Sequence, residues 1–329
     1  LMVGLGAPDD AAVWRLNEES ALVVSTDFFT PVVDDAYAYG AIAAANAFSD
    51  VYAMGARPFL ALNVACLPPN LPPEQMADIL RGAADIVHDA GAIIAGGHTV
   101  QDDEPKVGLV VLGLAEPDRL IVKGGAKVGD FLVLTKPIGF GVTATALKEE
   151  KAATQHVEAM TDWMMHLNRA ASELAVKVGV LGGTDVTGFS LLGHAVEMAE
   201  ASGACLHFFA GSIPVLSGAR SYVEQHLVPG GTYDNRLYFE SQVDFAPDLD
   251  EMTRILLFDA QTSGGLLLAM DGSMLDSYLA LAAELAVSAW TVGSVEAGQG
   301  VKVSTGALPG SPPPVVEQSR SDTHGWLVT

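Results

Sequence analysis

The stretch ALVVSTDFFTPVVDDAYAYGAIAAANAFSDVYAMG, residues 21–55, decides the fold of the first half of the chain. Ala21–Thr26 is a β-rich apolar run with Asp27 at its end, a pattern that predicts a buried strand. Asp34 and Asp35 then precede an alanine-rich helical stretch from Ala36 to about Met54, with Gly55 as its stop. The two aspartates read most economically as N-cap and first-turn residues, worth about 1 kcal/mol. Working outward, Leu60–Cys66 predicts a second strand, and Pro73 and Glu74 open a helix to about Ala90. Ala92–Ala95 predicts a short buried strand ending at Gly96–Gly97, and Lys106–Ala115 a further one. The order β-α-β-α-β-β points to an α/β or α+β domain with its helices on one face of a sheet.

Around Pro117–Gly129 the pattern changes, which divides the chain into residues 1–117, residues 118–307 and a Pro/Ser-rich loose tail, 308–329. In the second part Phe131–Thr135 predicts a strand and Lys136-Pro137 a turn. Helices are expected at 142–149, 156–178 and 188–201, and strands at Cys205–Phe209, Gly265–Met270 and Ala289–Val295. No internal repeat is evident.

With 329 residues, half of them apolar and 17% charged, the chain has material for two cores, which excludes disorder and collagen-like repeats. Its net charge of −23 reflects scarce basic residues. Without clusters of Lys and Arg, neither nucleic acid nor an anionic membrane is an expected partner. Cys66 and Cys205 stand alone in apolar stretches, so no disulfide framework or CxxC metal site is expected. No uninterrupted apolar span and no basic leader is read, and the expectation is a soluble, cytoplasmic protein.

The charge distribution says more than its total. Residues 1–105 contain no lysine and only Arg15, Arg57 and Arg81, against fifteen Asp and Glu. A polyphosphate bound there would need divalent metal held by carboxylates, with backbone N–H groups filling in; a merely solvated acidic surface is the alternative. Four aspartates stand out. Asp10 lies in a turn running into a strand, Asp27 ends the 23–26 run, and Asp185 sits in Gly182-Gly183-Thr184-Asp185-Val186-Thr187-Gly188 before a helix. Asp50 lies inside an apolar helix, four residues after Asn46 and therefore on the same face. Scattered aspartates suit Mg²⁺, which prefers carboxylate oxygens. Asp10 and Asp27 also suit turns, and Asp185 a place beside Thr187 as a plain N-cap, whereas Asp50 among Ala and Phe is costly unless paired or metal-bound.

No GxxxxGK[ST] or GxGxxG occurs, which excludes the Walker and Rossmann readings, and the histidines show no HxH or HExxH spacing. Gly96-Gly97-His98-Thr99 follows a strand and Gln261-Thr262-Ser263-Gly264-Gly265 precedes one. Glycines so placed let backbone come close to a phosphate or base, or simply make a turn.

Taken in order, the segments Asp9-Asp10-Ala11-Ala12-Val13, Ser25–Asp35, Ser49–Gly55, Gly96–Thr99, Leu134–Pro137, Thr184–Phe189 with Leu192-Gly193-His194, and Gln261–Leu267 closely resemble the selenophosphate synthetase family. This family belongs to the aminoimidazole ribonucleotide synthetase-like superfamily, and the resemblance runs from about Val3 to about Val303. It implies two α/β domains and a homodimer joined through the sheets of the first domains. The implied reaction is conversion of ATP, selenide and water to selenophosphate, AMP and phosphate with Mg²⁺. The implied metal ligands are Asp10, Asp27, Asp50 and Asp185. The implied nucleotide contacts are Ala7, Pro8, Asp9, Asp27, Asp50, Gly97, His98 and Thr99. The family pattern also carries a glycine-rich segment with a cysteine or selenocysteine and a lysine ahead of the position of Leu1. No catalytic residue is therefore assigned within this sequence, and as written the chain is expected to bind Mg²⁺–nucleotide without making selenophosphate at a useful rate. A non-catalytic nucleotide-binding paralogue and a small-molecule kinase of the same superfamily are the competing readings.

Overall fold

The computed structural model describes residues 1–309 together with Pro314 and Val316; the expected tail beyond Pro309 otherwise lies outside the described residues. The first half contains β1 (Ala12–Arg15), β2 (Ala21–Phe29), α1 (Ala36–Ala53), β3 (Arg57–Leu67), α2 (Pro73–Asp89), β4 (Ile93–Gln101) and β5 (Lys106–Ala115). Its sheet runs β1-β2-β5-β3-β4, with β3 and β4 parallel and the other neighbours antiparallel. The Asp35 carboxylate caps α1 by accepting the Ala38 N–H at 2.7 Å, and Gly55 ends the helix at φ +69°. Fifteen of the 18 residues of α1 are buried, so this is a central helix, apolar all round rather than along one stripe. It packs on the sheet, on α2 and on the second domain. Ile42 and Phe48, fully buried, contribute about 1.5–3 kcal/mol each.

Strand alternation in β2 sends Val23, Ser25 and Asp27 toward α1 and Leu22, Val24, Thr26 and Phe28 to the opposite face. Among the described residues no helix covers that second face. Leu112 and Val110 of β5 continue it, and Trp14, Phe28, Phe59, Ile93 and Leu114 are exposed there or at its rim.

The second half contributes β6 (Phe131–Leu134), α3 (Phe140–Lys148), α4 (Thr154–Met165), α5 (Arg169–Val178), β7 (Gly182–Asp185), α6 (Ser190–Ser202), β8 (Cys205–Phe209), α7 (Ala219–Glu224), α8 (Gly230–Phe239), β9 (Val243–Phe245), α9 (Glu251–Leu257), β10 (Leu266–Met270), α10 (Gly272–Glu284), β11 (Trp290–Glu296) and β12 (Gly300–Ser304). The sheet order is β7-β10-β6-β11-β8-β12-β9. One apolar core unites Tyr39 and Ile42 of α1 with Met160 and Trp163 of α4 and the inner face of this sheet, so the two halves share buried surface.

Three expectations are corrected. The run at 21–26 does not stop at Asp27 but continues to Phe29, because Asn46 partners the Asp27 carboxylate inside the strand. The strand after Ala92 is neither short nor buried: β4 is an exposed edge that runs through both glycines to Gln101. The single helix expected over 156–178 is two, broken where the Asn168 side chain turns inward to bond Ser49 and Gly264. The apolar strands at Ala21–Ser25 and Val107–Gly113 lie inside the sheet, and what they leave open is a face.

Candidate functional site

The four singled-out aspartates come from four elements that meet at the seam between the halves. Asp10 is on the loop before β1, Asp27 is two residues from the end of β2, Asp50 opens the last turn of α1, and Asp185 is the last residue of β7. Each is fastened by a neighbour that the local fold supplies. Thr184 Oγ1 donates to Asp10 Oδ1 at 2.8 Å, and Ser49 Oγ donates to Asp185 Oδ2 at 2.5 Å. Ser25, one face-step from Asp27 on β2, donates its hydroxyl to Asp50, and the Asn46 amide donates to Asp27. The spacing of Asn46 and Asp50 thus puts them on one face of α1, aimed at the same strand.

Electrostatically the site is under load. Burial, reinforced by the charge of Asp185, lifts the Asp10 acid to about 7. Burial lifts Asp185 to about 6, and Asp50 is pushed well up by burial and then by Asp185. Asp27 is also raised by burial. Asp50 feels the charges of Asp10, Asp27 and Asp185 together, so the four form one electrostatic unit. Lys123, in the short turn after the first domain, places Nζ 3.1 Å from Asp10 Oδ1 and 2.9 Å from Glu197 Oε2. Burial alone would weaken its proton affinity, but Asp10 and Glu197 outweigh that and raise it. Glu197 is drawn down to about 2: burial opposes this, and His194 and Lys123 override it. Asp9 accepts the N–H of Lys123 at 3.0 Å, which ties the 8–10 loop to the interdomain turn.

Among the described residues no three His, Cys, Asp or Glu side chains form a ready-made metal cage. The donor set nevertheless fits Mg²⁺. The Asp10 side chain is 3% exposed, and its Oδ2 is buried with no hydrogen-bond partner, an arrangement that costs free energy until a cation or donor arrives. The neighbouring acids are hard oxygen donors whose mutual repulsion a cation would relieve.

The glycine turn at 261–265 enters from the other side. Its backbone is pressed so closely that a Cβ on Gly264 would lie 1.9 Å from the Val186 carbonyl oxygen, and one on Gly265 2.3 Å from the Lys136 nitrogen. Ser263, at φ +52°, donates its N–H to Asn46 Oδ1 at 2.7 Å. Gln261 and Asp259 reach back to accept the N–H groups that open α3.

The 7–8 turn is exposed beside Asp9. Gly97-His98-Thr99 is not brought to the aspartates. Gly97 shares a cross-strand row with Asn63, Leu109 and Asp27, three strand spacings away, about 14 Å. Its φ of +151° and the 2.2 Å approach its Cβ would make to the Asn63 oxygen explain the glycine. Lys123, Glu197, Ser49, Asn168 and Thr184 escape a reading of the sequence. Only Ser49 and Thr184 carried a signal, as hydroxyls adjacent in sequence to an aspartate.

Residues 8–115 match the family profile described as AIR synthase related protein, N-terminal domain, and residues 127–306 the corresponding C-terminal domain. Solved structures share the architecture at TM-scores of 0.69 and 0.66. They are the thiamine-monophosphate kinase from Stenotrophomonas maltophilia (18% identical, 91% of this chain and 90% of that one) and hydrogenase maturation protein HypE in complex with ATP (20% identical, 94% and 90%). Fold and site thus define a two-domain protein of the AIR synthase related class. Within that class, the selenide, water dikinase of Caldanaerobacter subterraneus subsp. tengcongensis is 48% identical over 300 residues, covering 91% of this chain and 87% of that protein. The selenide, water dikinase of Porphyromonas gingivalis strain ATCC 33277 is 46% identical over 281 residues, 85% and 80%. The chain belongs to the selenide, water dikinase family.

Proposed function

We propose that this protein makes selenophosphate, AMP and phosphate from ATP, selenide and water, with Mg²⁺, at the seam between its domains. The observation that carries this reading is the likeness to selenide, water dikinases over nearly the whole chain. The four buried aspartates support the metal part of it. Asp10, Asp27, Asp50 and Asp185 would hold Mg²⁺, which when bound offsets the triphosphate charge and favours in-line transfer. The chain's own residues then do the holding. Ser25, Asn46, Ser49 and Thr184 keep one oxygen of each carboxylate engaged, so the cluster keeps its shape whether or not nucleotide is present. Asp9 and the exposed Ala7-Pro8 turn stand beside Asp10 for nucleotide contacts. Asp27 and Asp50 face the same space. Gly97, His98 and Thr99, about 14 Å along the sheet, suit the nucleoside end of ATP rather than its phosphates. The uncovered apolar face of the first sheet supports a homodimer joined through it.

Phosphorus NMR of ATP with selenide under anaerobic reducing conditions tests the reaction, with the family's glycine-rich Cys/Lys segment joined ahead of Leu1 and, in parallel, on the chain as written. Selenophosphate appearing with AMP is the expected result for the joined chain. ADP as the sole nucleotide product would favour a small-molecule kinase, and nucleotide binding without turnover a non-catalytic paralogue.

A further inference from the structure

Two second-domain turns reach the acidic site, and neither is held there by the regular hydrogen bonding of a helix or sheet. The first, residues 166–168, lies between α4 and α5. The second is the glycine turn at 261–265. Both converge on a pair of buried polar side chains. Lys136, 1% exposed, donates from Nζ to the His166 carbonyl at 2.6 Å and to the Ser263 carbonyl at 2.7 Å, and so spans the two turns. Asn168, 3% exposed, donates to the Gly264 carbonyl at 2.8 Å and to Ser49 Oγ at 2.9 Å, and so joins them to α1.

What lies on the far side of these bonds is the acidic cluster. Ser49, receiving from Asn168, has its own proton free to donate to Asp185. Ser263, its carbonyl held by Lys136, presents its N–H to Asn46 Oδ1, which fixes the amide so that its NH₂ group faces Asp27. Ser263 is a non-glycine residue at positive φ, a conformation that persists only where the surroundings over-determine it. A buried ammonium is costly and is kept where its charge and donors are used.

We propose that Lys136 and Asn168 are paired positioning residues for phosphoryl transfer. Together they clamp the 166–168 and 261–265 turns against α1 and set the direction of the donors that orient Asp27 and Asp185. The proposal rests on the function proposed above. Neither side chain is a metal ligand in that reading; each acts through another residue. Because the clamp has two points on the same two turns, breaking either should release both.

The test compares wild type with Lys136→Met, Asn168→Ala and the double variant, each carrying the family's segment ahead of Leu1. The readouts are kcat and KM for ATP, melting temperature, and hydrogen–deuterium exchange of the peptide spanning 261–267. The expected result is a loss in kcat of thirtyfold or more for either single variant. KM should stay within threefold, the melting transition should remain cooperative, and exchange at the Ser263 amide should be at least tenfold faster. The double variant should lose no more than the worse single. Unchanged kcat, or losses that multiply in the double variant, overturn the clamp. So does a parallel fall of kcat, affinity and melting temperature, the mark of a merely structural role. If Lys136→Met does not fold, Asn168→Ala decides by the same criteria. If wild type makes no selenophosphate, the proposed function fails, and exchange at Ser263 still decides the clamp: faster in the variants supports it, unchanged overturns it.

Discussion

Replacing Asp10 by Asn should make the protein free of nucleotide and metal more stable at pH 8. Thr184 and Lys123 hold Asp10 Oδ1, while Oδ2 is buried without a partner. Burial and then Asp185 raise the acid from 3.8 to about 7. A folded-state pKa above the unfolded one means that the native protein binds the proton more tightly. The resulting stability is fully present below about pH 4 and is lost as pH climbs through 7. Each tenfold change in proton affinity is about 1.4 kcal/mol, so keeping Asp10 ionised in the fold costs up to about 4 kcal/mol. About 3 kcal/mol of that falls between pH 5 and pH 8. Asn keeps an acceptor for Thr184 and carries no charge, and Lys123 retains Glu197 at 2.9 Å. Asp10→Asn should therefore flatten the stability–pH profile by about that amount and raise Tm at pH 8 by on the order of 5 °C. At pH 5 the gain should shrink to a small fraction. Added Mg²⁺ should stabilise wild type at pH 8 and leave the variant unmoved. Calorimetric melting from pH 5 to 8, with and without Mg²⁺, is the assay. Equal wild-type stability at the two pH values, with no gain from Asp10→Asn at pH 8, refutes the argument that burial and repulsion hold this carboxyl near neutrality.

Asp50→Asn should weaken Mg²⁺–nucleotide binding at least tenfold, about 1.4 kcal/mol; titration calorimetry giving wild-type affinity, or unchanged affinity in EDTA, counts against a carboxylate-held metal. Light scattering at micromolar concentration should report a dimer for wild type and a monomer for Leu112→Glu, which sets a charge in the middle of the open sheet face. A wild-type monomer removes the reason for that face to be apolar. Ser49→Ala leaves the buried Asp185 carboxylate one donor short and should cost about 1–3 kcal/mol in urea unfolding. Gly97→Ala, at positive φ with a Cβ 2.2 Å from a carbonyl oxygen, should destabilise by more than 1 kcal/mol, and a melting curve identical to wild type would show that β4 relaxes freely.

The elements that the sequence reveals best are those where local pattern and tertiary demand agree. Residues 106–115 and 205–209 form strands with the bounds expected, and the helix opened by Asp35 ends next to its glycine. Disagreement marks the places where a distant partner overrides the pattern. The break between α4 and α5 is dictated by what Asn168 must reach, 119 residues away at Ser49. β7 is Gly-Gly-Thr-Asp, with no strand-forming run at all, and exists because β10 pairs with it. Of the site, the carboxylates stand out because a charge amid alanines is conspicuous. Their orienting partners do not, since Ser, Thr and Asn are ordinary residues until the fold sets them against an acid. Lys123 is likewise one lysine among eight until it is seen between Asp10 and Glu197.

The seam has a consequence for synthesis. As the chain leaves the ribosome Asp10, Asp27 and Asp50 emerge ahead of Asp185, and residues 1–105 among them hold no lysine. The counter-charge of Lys123 follows, then Asp185 with its tether to Ser49, 136 residues upstream, and last the turn whose Ser263 amide closes on Asn46 across 217 residues. Through most of translation the central helix therefore carries its acid into an apolar setting without the partners that later accommodate it. The nascent first half should dock α1 loosely until the second half arrives, so that the site is finished only after the 261–265 turn has been made.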